Sequence, residues 1–170
     1  MLTLRALPLL LLLGTPPLIG GGPKDGGTEN VMNDDGTVNP RAAFSAGVSL
    51  LQTPDRKTNE IDYQTAYDMF SQAAESKPEF THAHYNAGWT AERLGMNDRA
   101  ANHYRQAHAQ APDNTEFLFA YAELLFRSGD GASAVDLYQE YVENHPKDLT
   151  VRNSLMEALA EAGRYDDAIA

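Results

Sequence analysis

The sequence predicts an all-α protein whose helix-turn-helix units stack into a right-handed superhelical solenoid. The strongest observation is a 34-residue period that three kinds of residue follow independently. A second is the helical spacing of small and apolar residues inside each unit, and a third is the regular placement of Gly and Pro at predicted helix ends. The period appears as Pro78, Pro112 and Pro146, as Gly95, Gly129 and Gly163, and as Ala66, Ala100, Ala134 and Ala168.

Each unit carries the signals of two helices. From Thr81 to Leu94, small and apolar residues recur at intervals of four, four and three, which places them on one helical face. The following segment repeats this pattern from Ala100 to Ala111. Gly95 is placed to close the first helix and Pro112 prevents the second from continuing, so each unit is predicted to be a short helical hairpin.

The repeated positions resemble a known motif, W-x2-L-G-x2-Y followed by A-x3-F and then P. In the unit 81–114, Ala87-Gly88 stands at the central pair, Ala100 and Tyr104 match A-x3-F, and Pro112 is the terminator. His84 replaces the expected Trp. The chain therefore resembles the tetratricopeptide repeat family, and its amino end makes it resemble an exported bacterial member. The resemblance implies a solenoid whose concave side binds a protein or peptide.

About three and a half units are predicted. Gly47 precedes Ala66 by 19 residues, whereas Gly88 precedes Ala100 by 12, which predicts a seven-residue insertion at Thr53–Asn59 in the first unit. The fourth unit stops at Ala170 inside its second helix, so we expect the chain to be a fragment of a longer array. The predicted units are 40–80 with the insertion, 81–114, 115–148, and the truncated 149–170.

The amino end predicts export. Arg5 precedes the apolar run Ala6–Leu13, which is too short for a stable membrane span, so residues 1–22 are typical of a secretory signal peptide or signal anchor. Residues 23–39, rich in Gly, Asn and Asp, are predicted to form a flexible leader. We expect a periplasmic or cell-envelope location, with anchoring in the inner membrane as the alternative.

Charge and composition exclude several classes. Lys and Arg number 13 against 24 Asp and Glu, and a net charge of −11 disfavours nucleic acid as a partner. Cysteine is absent, which removes disulfides and thiol chemistry.

The binding face is predicted from helix geometry and the family resemblance together. In repeats of this kind the first helix of each unit lines the concave side through its positions 2, 5, 9 and 12, which share one sector at about 100° per residue. In this chain the sector is aromatic and acidic, which fits an apolar or basic segment better than an acidic tail. Family members that clamp acidic tails need Lys and Asn where Tyr85, Trp89 and Phe119 stand here. An alternative is that Trp89 and Phe119 pack against the first helix of a neighbouring unit or against the leader. The predicted partner-binding residues are His82, Tyr85, Trp89, Glu92, Glu116, Phe119, Glu123, Phe126, Asn153 and Glu157; Phe44 of the first unit falls in the same sector.

No catalytic, metal or cofactor site is predicted. His82 and His84 diverge by about 200° on a helix, and His103 and His108 by about 140°, so neither pair can share a metal. Asn33–Gly36 fails as a calcium loop because the ligand positions fall on apolar residues. His145 is expected to contact carbonyls at a helix end.

The sequence therefore predicts a non-enzymatic interaction scaffold of the cell envelope. The alternative is a cytoplasmic or membrane-anchored regulatory module fused to a carboxyl-terminal domain that this chain lacks.

Overall fold

A computed structural model describes residues 31–55 and 58–164 of the chain. The predicted signal segment 1–22, the first part of the leader and the last six residues lie outside the described residues. Within the described ranges the regular elements are seven α-helices, which confirms the all-α prediction. They are α1 (Pro40–Gln52), α2 (Tyr63–Ser76), α3 (Thr81–Arg93), α4 (Asn97–Gln110), α5 (Thr115–Arg127), α6 (Gly131–Asn144) and α7 (Leu149–Glu161).

Each helix packs against its neighbours along the chain, from α1 on α2 through to α6 on α7. This is the contact pattern of a solenoid, in which every unit meets only adjacent units. The pairs α1/α2, α3/α4 and α5/α6 form three helical hairpins, and α7 is the first helix of a fourth unit. We call α1, α3, α5 and α7 the A helices.

Helix ends follow the local chemistry of the sequence. Asn39, Asp62, Asn114, Asp130 and Asp148 each cap a helix by accepting hydrogen bonds from backbone N–H groups in the first turn. Gly95, Gly129 and Gly163 follow the A helices with φ between 72° and 86°, a conformation that Gly adopts without steric cost. These glycines allow the three-residue turns at 94–96 and 128–130 to reverse the chain.

The turn from α1 to α2 is longer. It spans residues 53–62, seven more than the other turns within a hairpin. Its backbone folds on itself, because the Asp55 N–H donates to the Glu60 carbonyl and the Asn59 N–H donates to the Asp55 carbonyl.

The leader differs from the flexible segment expected, at least over residues 31–39. Met32 and Val38 form a β-bridge, and the Asn33 N–H donates to the Thr37 carbonyl across a turn. Val31 and Val38 pack against the core of the first hairpin. Two valines at this spacing therefore hold the end of the leader on the repeat array, by apolar burial.

The interior is formed by small residues on the A helices and rings on their partners. Gly47 faces Phe70 and Gly88 faces Tyr104, and both rings are buried. One buried cluster extends through the five helices from α1 to α5, and a second contains residues of α5, α6 and α7. Within the described residues, no helix has the length and apolar character needed to cross a membrane.

Candidate functional site

The A helices present their predicted binding sectors one after another along the array. The residues of this sector come from α3, α5 and α7, and the structure divides them into buried rings, partly exposed rings and carboxylates.

Tyr85 belongs to the buried group. Its side chain is only 4% exposed, and its ring centroid lies 5.0 Å from that of Phe117 and 5.7 Å from that of Tyr104. The ring is therefore part of the core rather than an exposed anchor, because Phe117 from the next unit covers it. Its hydroxyl group interacts with Glu116, and burial together with that carboxylate raises the pKa of Tyr85.

A polar network crosses from the second unit to the third. The Tyr104 hydroxyl donates to Glu92 Oε2 at 2.8 Å, and Arg127 Nη2 donates to Glu92 Oε1. Glu92 lies on α3 and Arg127 on α5, so the ion pair joins consecutive A helices. Burial and the nearby Glu92 carboxylate raise the pKa of Tyr104.

Two further carboxylates on α5 continue this network. Burial raises the pKa of Glu116, with the hydrogen bond from Tyr85 opposing the shift. Burial also raises the pKa of Glu123, Arg127 opposes that shift, and Glu92 adds to it. Desolvated carboxylates close to one another favour a cation brought from outside.

The strip extends to α7 through Tyr138. Burial, and then Glu123 and Glu157, raise the pKa of that phenol. Glu157 and its neighbour Asn153 are exposed on α7. We call the carboxylates of this strip the acidic groove, and they are Glu92, Glu116, Glu123 and Glu157.

Two rings of the sector remain partly exposed beside the acidic groove. Trp89 packs against Tyr63 of α2, with ring centroids 6.0 Å apart, and the Arg93 guanidinium lies 4.6 Å from its centroid. Phe119 packs against Tyr138 at 5.9 Å. Each ring thus combines packing on a second helix, α2 for Trp89 and α6 for Phe119, with accessible surface. These two contacts are with neither a neighbouring A helix nor the leader, which the alternative interpretation had expected, and partner binding by either ring stays a prediction.

The remaining aromatic and histidine residues of the sector are partly buried or buried, so they offer less surface to a partner. His82 is partly buried, edge-on to Phe117 at 5.9 Å. Phe126 is partly buried beside Gly131, where α6 begins. Phe44 of the first unit is buried against Phe70 and Phe80.

The sector rule missed three participants. Tyr104 and Tyr138 lie on the second helices. The Tyr104 hydroxyl donates to Glu92, and the Tyr138 phenol, whose pKa burial already raises, is close enough to Glu123 and Glu157 for their charges to raise it further. Arg127 is 35 residues after Glu92, one more than the repeat period, and this spacing could have indicated contact between consecutive A helices.

The residues considered for metal binding lie in the described part of the chain. This part contains no group of three or more His, Asp or Glu side chains that could hold a metal ion. Asp35, in the segment tested as a calcium loop, accepts hydrogen bonds from both the backbone and the hydroxyl group of Thr37. His145 caps α6, and its Nδ1 lies 3.1 Å from the Tyr141 carbonyl, as expected of a helix-end residue.

A solenoid of helical hairpins, with a Gly packed against a ring in each of the first two, defines the class of this protein as an α-helical repeat scaffold. The sequence pattern of one such family, the tetratricopeptide repeat, matches residues 62–114 and 85–149, together just over half of the chain. The chain belongs to the tetratricopeptide repeat family.

Similar proteins agree with this assignment. The crystal structure of MamA superposes with a TM-score of 0.61 at 14% identity, covering 77% of this chain and 72% of that one. A thermophilic repeat protein of this family from Thermus thermophilus, TTC0263, superposes with a TM-score of 0.55 at 25% identity, covering 72% and 64%. YrrB, described as a repeat protein with an unusual peptide-binding site, has a TM-score of 0.59 at 19% identity, covering 76% and 63%.

One curated relative is also similar in sequence. The Vi polysaccharide export protein VexE of Salmonella typhi is 33% identical over 86 residues, which are 51% of this chain and 13% of VexE. The chain therefore spans only a small part of the length of that relative.

Proposed function

We propose that this protein is a non-catalytic interaction scaffold of the cell envelope that binds a segment of a partner protein along the acidic groove. The observation that carries the proposal is the alignment of four carboxylates from three successive A helices on one strip. Arg127 acts on this strip and is already engaged by Glu92. The strip thus retains a negative charge along its length.

The chemistry of the groove favours an apolar or basic segment. A Lys or Arg side chain between Glu116 and Glu123 would offset the desolvation that raises the pKa of both carboxyl groups. Trp89 and Phe119 offer apolar surface beside these carboxylates, as aromatic anchors do in many interfaces. An acidic tail would meet repulsion along the same strip.

Family membership supports the scaffold role. YrrB, which shares the fold, carries a peptide-binding site by its own description. The acidic groove has no nucleophile paired with a base and an orienting group, the arrangement expected of a covalent catalyst. Family membership and the negative charge of the strip support binding as the role of this surface.

The envelope location rests on the amino-terminal sequence. The basic start, the short apolar run and the following small residues have the order of a secretory signal. Similarity to part of a polysaccharide export protein supports a role at the envelope. Intact mass and cell fractionation of the full-length gene product test this part. A processed envelope species supports the proposal, whereas an unprocessed cytoplasmic species overturns it in favour of the regulatory-module alternative.

Two synthetic peptides test the groove. Both carry the same Leu and Phe residues, one with Lys and the other with Glu between them, and Trp89, the only tryptophan in the chain, reports binding by fluorescence. We expect the basic peptide to bind, and Glu116→Gln with Glu123→Gln to weaken that binding at least about fivefold, or about 1 kcal/mol.

Glu75→Gln with Glu143→Gln is the matched control, because it changes the net charge equally on exposed residues of α2 and α6. Equal weakening by the control pair, or equal binding of the acidic peptide, contradicts recognition by the groove. Trp89→Ala and Phe119→Ala should each remove binding while far-UV circular dichroism stays unchanged. Binding to the Trp89 variant is measured by calorimetry, because that variant lacks the fluorescent reporter, and binding to the Phe119 variant by calorimetry or by Trp89 fluorescence. Loss of helicity in either variant would instead assign that ring to the core.

A further inference from the structure

A cation of the chain itself lies on the acidic groove. Arg127 Nη2 donates to Glu92 Oε1, and the Tyr104 hydroxyl donates to Glu92 Oε2 at 2.8 Å. One oxygen of this carboxylate is thus engaged by a guanidinium and the other by a phenol. The carboxylate that α3 contributes to the groove is therefore satisfied from within the protein, and the seated guanidinium shows which ligand chemistry this strip accepts.

Arg127 also acts on a second carboxylate of the groove. It follows Glu123 by four residues on α5, which places the two side chains on one face of that helix. Burial raises the pKa of Glu123 and Arg127 opposes that shift, so the guanidinium charge reaches this carboxylate as well. Arg127 therefore has the effect, at the carboxyl-terminal ends of α3 and α5, that a cation from a partner would have.

The rest of the groove is not neutralised in this way. Glu116 lies at the other end of α5, where the Tyr85 hydroxyl donates to it, and Glu157 is exposed on α7. Within residues 31–55 and 58–164, neither carboxylate forms an ion pair with a Lys, Arg or His side chain. The cation of the chain is thus confined to one part of a longer acidic strip.

We propose that Arg127 is a specificity-determining residue of the acidic groove, because it occupies the cation subsite at Glu92 and directs a partner's basic residue to Glu116 and Glu123. This role rests on the proposed function and names the partner more narrowly. The partner is an apolar segment with a single basic residue on the side that faces the groove. A second basic residue gains nothing at Glu92 while Arg127 is in place.

The separation of the helices determines where a second basic residue would reach Glu92. Packed helices lie about 8–10 Å apart, so a cation on α5 and another on α3 are separated by about that distance. A segment in the polyproline II conformation completes a turn every three residues, and residues three apart face the same side about 9 Å from each other. Basic residues three apart therefore match two neighbouring A helices.

Three peptides test the assignment, with binding measured by calorimetry. One is the basic peptide of the groove test with a single Lys, and the other two carry a second Lys three residues before or after the first. For Arg127→Gln, the better two-Lys peptide should bind more tightly than the single-Lys peptide. We expect this gain to be at least about threefold larger than in the unaltered protein, the effect of one further ion pair at a partly exposed site.

Two variants show whether the gain comes from Glu92. Arg105→Gln removes the same charge from an exposed residue of α4, whose guanidinium bonds Asn102 on its own helix, and its gain should equal that of the unaltered protein. Arg127→Gln combined with Glu92→Gln should lose the additional gain. Equal gains in the unaltered protein, Arg127→Gln and Arg105→Gln overturn the assignment, and so does a gain that persists without Glu92.

These outcomes separate the role of Arg127 from the proposed function. Failure of the single-Lys peptide to bind the unaltered protein overturns both. Binding of that peptide that is weakened by Glu116→Gln with Glu123→Gln, but with no additional gain in Arg127→Gln, leaves groove binding in place and overturns the role of Arg127 alone.

A titration of the unaltered protein covers the case in which Arg127→Gln fails to fold. The side chain of Arg127 is 52% exposed, and ion pairs at such sites contribute little to stability, so we expect the variant to fold. Nitrogen-detected NMR of the Arg127 guanidinium reports whether its rotation is restricted by Glu92. The assignment requires that restriction to persist when the single-Lys peptide saturates the protein. Release of the guanidinium by that peptide would show that the partner's cation takes Glu92 itself, and contradicts the assignment.

Discussion

Gly88→Ala tests the close packing of a glycine on a ring that the first two hairpins share. Gly88 lies in the middle of α3, and a Cβ atom added there would sit 2.7 Å from Tyr104 Cδ1 and 2.8 Å from Cε1. These distances are shorter than carbon atoms tolerate. Tyr104 cannot move away easily, because its ring is buried and its hydroxyl group is held by Glu92.

Two effects of opposite sign set the magnitude. Alanine is favoured over glycine inside a helix by about 1 kcal/mol. Inserting a methyl group into a packed interior costs about 1–3 kcal/mol. We expect the second effect to prevail, with a net loss of about 1 kcal/mol in the free energy of unfolding. For an array of this size that loss lowers the Tm by about 3–5 °C.

Thermal and urea unfolding monitored by circular dichroism measure this change. The double variant Gly88→Ala/Tyr104→Phe releases the ring from Glu92, so its loss should be smaller than the sum of the two single losses. The third hairpin provides a natural comparison. Ala122 is buried 34 residues after Gly88, and Tyr138 is buried 34 residues after Tyr104. A Gly88→Ala protein more stable than its parent would refute the reasoning and show that the ring has room to move.

Two further predictions concern a helix cap and the buried phenols. Asn114→Ala removes the side chain that accepts hydrogen bonds from the N–H groups of Glu116 and Phe117, and should cost about 1 kcal/mol in urea unfolding, whereas Asn114→Asp should cost much less. The pKa values of Tyr85, Tyr104 and Tyr138 are raised, chiefly by burial, so the stability that they contribute is complete below about pH 10 and is lost as the pH rises above it. Absorbance at 295 nm should show these three phenols still protonated at pH 11, and their ionisation should coincide with loss of helicity; ionisation of all eight tyrosines together near pH 10 would contradict their burial.

Helix positions and chain reversals were accessible from the sequence because their causes are local. Helix-period spacing, Asn and Asp caps, and Gly95 with its positive φ all act within a few residues. The long turn before α2 was likewise visible, because an insertion displaces a periodic pattern. The order in residues 31–39 of the leader was less accessible from the sequence. Its composition predicts flexibility, but packing of Val31 and Val38 on the first hairpin depends on a surface that the leader itself does not contain.

The solvent exposure of the side chains in the predicted binding sector could not be predicted from local sequence. Tyr85 and Trp89 share one sector of α3, yet one is buried and the other partly exposed. The difference arises from Phe117, which comes from the following hairpin and covers only the first ring. Sector geometry describes a single helix, whereas burial depends on the side chains that the next helix brings.

The sequence by itself determined the family, the repeat period, the helix ends and the acidic and aromatic character of the predicted binding sector, because each is a property of residues near one another along the chain. The tertiary structure decided which rings stay accessible, how Glu92 is paired with Arg127, and that His84 meets His103. Those contacts join different helices. Their geometry depends on how closely the helices approach, which is set by packing around Gly88 and Tyr104 rather than by any local pattern.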